Sequence, residues 1–296
     1  YGTTTNTNET ESQTGIYAQE KADWKNFHLI LSGRGDFTKS MTVDNLTAQR
    51  TPQNNNEFTG RVGLLYSSPF GLSPYVSYAT SFQPQVGTTR LNTAFLPTKG
   101  RQIEAGLKYK PSLNMPWGDH FMLTADFFDL VETNILTPDP VDSTYDIQAG
   151  EQRTRGFEFE GMGRLPWNIS FIASFTYQDP KITKSTTTAQ IGQRPVAVPS
   201  HMASVFLKKD FHIWRDLVAG VGGGLRYTGN TAGALPETFS VPSQLVGDVV
   251  AHVDYKRASV QLNGTNIANS RYVAICTRNV ACAWAPGRAM FVTLAY

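Results

Sequence analysis

The sequence predicts an all-β chain, a transmembrane antiparallel up-and-down β-barrel, and three observations carry that prediction. Stretches of about 10 residues alternate apolar and polar side chains with period two, the spacing that sends successive side chains to opposite faces of a sheet. Their connections alternate strictly between short turns and long polar loops, as in barrels that cross and recross a membrane. Charged residues (Glu104, Glu158, Glu160, Asp248, Asp254) recur on one face of central stretches. A dry packed core would make them costly, whereas the lumen of a wide barrel is wet.

The totals agree. Of 296 residues, 40% are hydrophobic and only 17% charged, below the usual quarter. Mean hydropathy is −0.28, and no uninterrupted apolar run approaches the roughly 18 residues of a membrane helix. Buried helices therefore do not explain the low charge; strands with one lipid-facing side do. A net charge of +2 is too small to point to nucleic acid. The two cysteines, close in sequence, fit either one disulfide in an oxidising compartment or two free thiols. Tyr1–Glu9 is polar, without a basic and apolar leader pattern.

In chain order, Gly15–Asp23 and Phe27–Asp36 form the first pair, joined at Trp24–Asn26. In the second, Phe27, Leu29, Leu31 and Gly33 share a face opposite His28, Ser32 and Arg34. A loop rich in Thr, Asn and Gln (Thr38–Asn56) leads to Phe58–Tyr66 and Pro74–Phe82, whose turn carries Pro69 and Gly71, residues that favour turns. After Gln83–Thr98 come Gly100–Lys110 and His120–Glu132, separated by a turn with Pro111, Pro116 and Gly118. Ile103, Ala105, Leu107 and Tyr109 there alternate with Gln102, Glu104, Gly106 and Lys108. Beyond Thr133–Ser143 a long strand, Tyr145–Leu165, turns through Pro166–Asn168 into Ile169–Gln178. Then follow Val198–Lys208 and Leu217–Thr228 with a turn over Lys209–Asp216, Leu245–Tyr255 and Ser259–Ile267, the cysteine-bearing loop, and a last strand, Ala289–Tyr296.

Trp24, Phe70, Trp117, Trp167, Trp214 and Tyr255 all sit at the short turns, as an interfacial aromatic girdle requires. The strands number 13. Single-chain bacterial barrels have even counts, and the first and last strands run the same way, so residues 1–296 are read as one incomplete domain, the C-terminal part of a larger barrel.

The ordered set Thr14–Glu20 (TGIYAQE), Phe58–Tyr66 (FTGRVGLLY), Pro74–Pro84 (PYVSYATSFQP), Gly100–Pro111 (GRQIEAGLKYKP), Gly150–Gly161 (GEQRTRGFEFEG), Val198–His201, Gly224–Gly229 and Leu262–Asn269 (LNGTNIAN) resembles successive strands of TonB-dependent siderophore receptors. The ending, Tyr272–Cys276, Cys282–Trp284 and Arg288, is most similar to the ferric-hydroxamate (ferrichrome-type) branch. The resemblance covers essentially the whole chain. It implies a 22-stranded plugged barrel of which these are the last 13 strands, a bacterial outer-membrane location, and a missing plug that would contact TonB. It also implies import of a ferric siderophore, with a disulfide between Cys276 and Cys282 at the lip of the ligand mouth. Iron is then cargo held by its chelator, and no cofactor is expected.

No catalytic arrangement stands out, so no enzyme is expected. His28, His120, His201, His212 and His252 are scattered without metal-ligand spacing. Gly220–Gly224 lies inside a strand with no Lys-Ser/Thr after it, which rejects a phosphate loop in favour of close packing. A ferric siderophore needs aromatic walls with a few polar groups. The aromatics nearest the long-loop end are Tyr78, Phe82, Tyr177, Tyr272 and Trp284, with Trp284 the first choice by resemblance. Arg288 is expected to pair with a lumen carboxylate such as Asp248 or Glu158. The alternatives are a passive porin-like barrel, or a TonB-dependent one for cobalamin, haem or a saccharide.

Overall fold

The computed structural model describes residues 6–111, 121–139, 141–142, 145–278 and 281–296. In chain order the strands are β1 (Thr7–Trp24), β2 (Phe27–Asp44), β3 (Gln49–Tyr66), β4 (Leu72–Gln83), β5 (Thr98–Tyr109), β6 (Met122–Pro138), β7 (Asp146–Leu165), β8 (Ile169–Lys184), β9 (His201–Trp214), β10 (Leu217–Thr228), β11 (Thr231–Ala232), β12 (Ser240–Val241), β13 (Gln244–Tyr255), β14 (Ala258–Thr265), β15 (Val273–Arg278), β16 (Ala281–Trp284) and β17 (Ala289–Ala295). Thirteen of them form one sheet, each beside its sequence neighbours, in the order β1 to β10, β13, β14, β17. All its pairings are antiparallel. The two remaining pairs, β11–β12 and β15–β16, are small hairpins inside loop-end connections.

Register separates the two faces, because directly opposed residues of an antiparallel pair share a side. Met122, Met162, Ile172, Phe206, Gly224 and Asp248 are linked in one line across β6 to β13. Glu104, Asp126, Glu158 and Glu160 fall on that same face by the two-residue period, which is the polar, lumen side. The opposite line runs Leu64, Val76, Ala105, Phe127, Phe157 and Tyr177 and faces outward. Its large apolar side chains are exposed, Ile103 at 56% and Phe127 at 53% among them, as a lipid-facing surface demands.

The girdle residues at the turn end are exposed too: Trp24, Phe70, Trp167, Trp214 and Tyr255 all stand open. Trp117, with His120 and most of its turn, lies outside the described residues.

Several strands outrun their expected ends. Thr38–Asn56 is not a loop: β2 and β3 pair from Phe27↔Tyr66 to Asp44↔Gln49. Its Thr, Asn and Gln side chains satisfy a ribbon wetted on both faces, so no apolar alternation marks it, while the backbone ladder still forms. The turn at its tip is held by Asp44, which accepts from Leu46 N at 2.8 Å and Thr47 Oγ1 at 2.9 Å. Those two donors hold the Asp44 carboxyl below its ordinary value. For the same reason β8 continues to Lys184 and β6 to Pro138. β9 runs on to Trp214, which leaves only Arg215 and Asp216 for a turn placed over Lys209–Asp216.

Glycine is used where strands must pass large lumen side chains. A Cβ on Gly224 would stand 2.4 Å from the Phe206 ring, and one on Gly220 would stand 2.1 Å from His252 Nε2. Close packing on the lumen side is therefore what the Gly220–Gly224 run does.

Candidate functional site

The lumen wall carries its chemistry at mid-height. Tyr75 donates its hydroxyl to Glu104 Oε1 at 2.6 Å, and Gln102 Nε2 donates to Glu104 Oε2 at 3.1 Å. Lys108 Nζ lies 4.8 Å from the Tyr75 ring centre. Together with Asp126, Glu158 and Glu160 they border a cavity of about 460 Å³. Four carboxylates against one lysine make this an acidic, hydrated surface with acceptors to spare. Nearer the turn end, His252 bridges Asp210 (Nε2 to Oδ1, 3.0 Å) and Asp254 (Nδ1 to Oδ2, 2.9 Å). That arrangement ties β9 to β13 across Gly220. No group of three or more His, Cys, Asp or Glu among the described residues is placed to hold a metal ion.

At the loop end the connection between β14 and β17 is built on Asn266. This residue is 4% exposed and has a φ of 50°, a left-handed conformation that asparagine adopts more readily than most residues. Its backbone N–H donates to Asp248 Oδ1 at 3.0 Å. Its Nδ2 donates to Ser270 O (2.9 Å) and Pro286 O (3.2 Å), and its Oδ1 accepts from Ser270 N at 2.9 Å. One buried amide thus ties both stems of the loop to the lumen wall. Asp248 is in turn gripped in two-pronged fashion by Arg226, with Nη2 to Oδ1 at 3.1 Å. Arg288 does not pair with Asp248, because Arg226 occupies that carboxylate; its Nη1 instead reaches Ile267 O at 3.5 Å.

Beyond Asn266 stands the β15–β16 hairpin, closed by the Cys276–Cys282 disulfide. Tyr272 O accepts from Ala285 N at 2.9 Å, and Val273 is paired with Trp284, so Tyr272 and Trp284 both stand at the base of one hairpin, on its two strands. Trp284 is 71% exposed. Closing so short a loop is worth about 2 kcal/mol by chain entropy, and the constraint is local. Cys276→Ser with Cys282→Ser is therefore expected to speed amide exchange in residues 273–284 while leaving the barrel's urea midpoint unchanged. A shifted midpoint would show that the bond braces the wall.

The other three candidates lie elsewhere. Tyr78 is opposed by Val62 and Ile103, and Tyr177 by Phe157 and His201, so both stand on the outward face. Tyr177 packs there against Phe157 in a tilted arrangement with ring centres 5.3 Å apart. Phe82 shares with Tyr78, Phe58, Lys99 and Arg101 a cavity of about 220 Å³ in a notch between β3 and β4. The five aromatics do not form one wall: strand parity, rather than height, decides which side an aromatic serves. Sequence reasoning also passed over Asn266 and the Arg226–Asp248 pair. An Asn–Ile–Ala–Asn run after a strand was a turn signal, but its long-range partners leave no trace in spacing.

Residues 1–267 match the family model described as TonB dependent receptor-like, beta-barrel. The chain belongs to this TonB-dependent receptor family. It is 32% identical over 293 residues to the "Ferrichrome outer membrane transporter/phage receptor" of Escherichia coli K12, covering 97% of this chain and 38% of that protein. It is also 32% identical over 295 residues to the "Ferrioxamine receptor" of Yersinia enterocolitica, covering 96% and 39%. The chain thus spans less than half the length of these curated relatives. Among solved structures, the siderophore receptor PiuA from Acinetobacter baumannii superposes with a TM-score of 0.80 at 24% identity, over 97% of this chain and 43% of that one, a likeness of fold. TonB-dependent receptor barrels of this kind reside in the bacterial outer membrane, and so does this one. The outward apolar face meets lipid, and the long-loop end is the cell-surface end.

Proposed function

We propose that this chain is the C-terminal wall of an outer-membrane receptor that captures a ferric siderophore of the hydroxamate class at the cell surface and imports it with TonB-derived energy. The observation that carries this reading is the pair of relatives named for ferrichrome and ferrioxamine, each 32% identical along nearly the whole chain. The site geometry supports it. Tyr272 and Trp284 offer aromatic surface at the loop end, on a hairpin braced by a disulfide and by Asn266. Below them the lumen wall is hydrated and acidic, suited to contact with a plug rather than to chelating iron directly. The receptor has no catalytic role in this scheme, and iron enters as cargo.

Uptake of iron-labelled ferrichrome and ferrioxamine by cells lacking the receptor, complemented with wild type or Trp284→Ala, tests the reading. Deletion should abolish uptake of at least one hydroxamate chelate. Trp284→Ala should weaken binding of that chelate about tenfold, the loss of one aromatic contact. Unchanged uptake of both chelates on deletion would reject the hydroxamate assignment. Unchanged affinity in Trp284→Ala would move the site to other loops.

A further inference from the structure

Two loop-end connections, β8–β9 and β10–β13, fold over the lumen face of β6 to β8 and enclose a cavity of about 280 Å³. Its floor is the wall itself. Gly150 and Gln152 stand two residues apart on β7, on the face of Glu158, and are opposed by Ile135 and Ile182. Its roof comes from Pro195 and Val196 in the first connection and Leu235 in the second. The roof is laced to its surroundings by backbone and side chain. Gly192 N donates to Ile182 O at 2.8 Å, Ala197 N to Ala232 O at 3.1 Å, and Thr186 Oγ1 to Pro138 O at 2.7 Å. β12, in the same connection as Leu235, touches β15, so the roof adjoins the hairpin that carries Trp284.

Charge is confined to the rim and paired there. Lys184 Nζ lies 2.7 Å from Glu151 Oε2, and Arg194 Nη2 lies 2.9 Å from Glu237 Oε1. The interior is largely apolar, with amides from Gln152 and Gln190. Gln152 Nε2 is spent on Glu132 Oε2 at 2.7 Å. Gln190 is different. It is 8% exposed, and its Oε1 accepts from Ser185 Oγ at 2.7 Å, while its Nε2 meets no acceptor among the described residues. A buried donor without an acceptor is costly, and an occupant of the cavity can supply one.

We propose that this cavity seats an uncharged apolar arm of the cargo, a short acyl or alkyl chain whose carbonyl accepts from Gln190 Nε2. Sites for whole ligands start near about 300 Å³, so this one holds an arm and leaves the bulk of a chelate outside. An ammonium group entering it would lose its water and find the rim carboxylates already taken. Gln190, Val196 and Leu235 are then specificity-determining residues, separate from Trp284. That the arm belongs to a hydroxamate chelate rests on the reading above; its chemistry follows from the cavity alone.

Saturation-transfer NMR on the detergent-purified receptor carrying this chain tests the cavity directly, with N-propylbutanamide and butylammonium as probes. Wild type should bind the amide at millimolar concentration and ignore the cation. Gln190→Leu should weaken the amide about fivefold, the scale of one neutral hydrogen bond. Val196→Trp, which fills the space, should abolish its binding. No amide binding to wild type, or equal binding to wild type and Val196→Trp, would overturn the proposal. A second arm compares one ferric trihydroxamate with its terminal amine free and with that amine butyrylated. Wild type should prefer the butyrylated form by roughly tenfold or more, the scale of burying two methylene groups, and Val196→Trp should cancel the preference. Both chelates bound without preference would overturn the assignment to the cargo's arm. Amide bound in the cavity with neither chelate bound to the receptor would reject hydroxamate cargo and leave the cavity's chemistry standing.

Discussion

Gly156→Val is expected to prevent the barrel wall from assembling. Gly156 lies on the lumen face of β7, opposed by Phe128 and Gln178. A Cβ there would stand 2.2 Å from Tyr177 O and 2.8 Å from the Phe128 ring. The ring has no room to turn aside, because Phe128 is only 8% exposed, and the carbonyl belongs to the ladder between β7 and β8. The strands would have to part at the seam. Overpacking of this kind costs about 3 kcal/mol or more when backbone must move. Gly35→Val is the matched control: its added Cβ meets nothing within 4 Å. Heat-modifiable gel migration and urea unfolding in vesicles should show Gly35→Val close to wild type and Gly156→Val largely unassembled. Equal stability of the two variants would refute the seam argument.

Asn266→Ala should release the final loop while leaving the wall standing. The substitution removes three side-chain hydrogen bonds, to Ser270 O, Ser270 N and Pro286 O, and places alanine at a φ of 50°. At about 1 kcal/mol per bond, the loop loses about 3 kcal/mol of local order. Amide exchange between Tyr272 and Trp284 should accelerate roughly hundredfold, with weaker chelate binding as a result. Asn266→Gly separates the two causes, since glycine keeps the backbone conformation and loses only the bonds. If exchange in the loop is unaltered in Asn266→Ala, the disulfide rather than the amide is what holds it.

Strand existence and order were legible because lipid on one face and water on the other force a period of two, as in Ile103 to Tyr109. Strand ends were not, wherever water lay on both sides: Thr38–Asn56 carries no alternation to read, yet its ladder is continuous. The placement of the candidate site residues was legible only in part. Tyr272 and Trp284 sit at the loop end where aromatics and cysteines cluster in sequence. Tyr78 and Tyr177 looked equivalent by height, and only register told the outward face from the lumen. Asn266 acts through partners up to 20 residues away in sequence, a relation that no local pattern records.

The long ribbon of β2 and β3 has one more consequence. β3 pairs with β4 only from Arg61↔Ala79 to Leu65↔Tyr75, while β1, β2 and β3 stay laddered to their tips. Above that point the three strands touch the rest of the wall through side chains: the Glu57–Lys99 ion pair at 2.8 Å, Thr80 Oγ1 on Gly60 N at 3.0 Å, and Gln53 on Phe95 O. The seam between β3 and β4 is thus held over much of its length by a handful of polar contacts in place of a backbone ladder, one of them an ion pair sensitive to salt. Local opening of the wall is therefore expected to start at this seam, and its ease to depend on ionic strength.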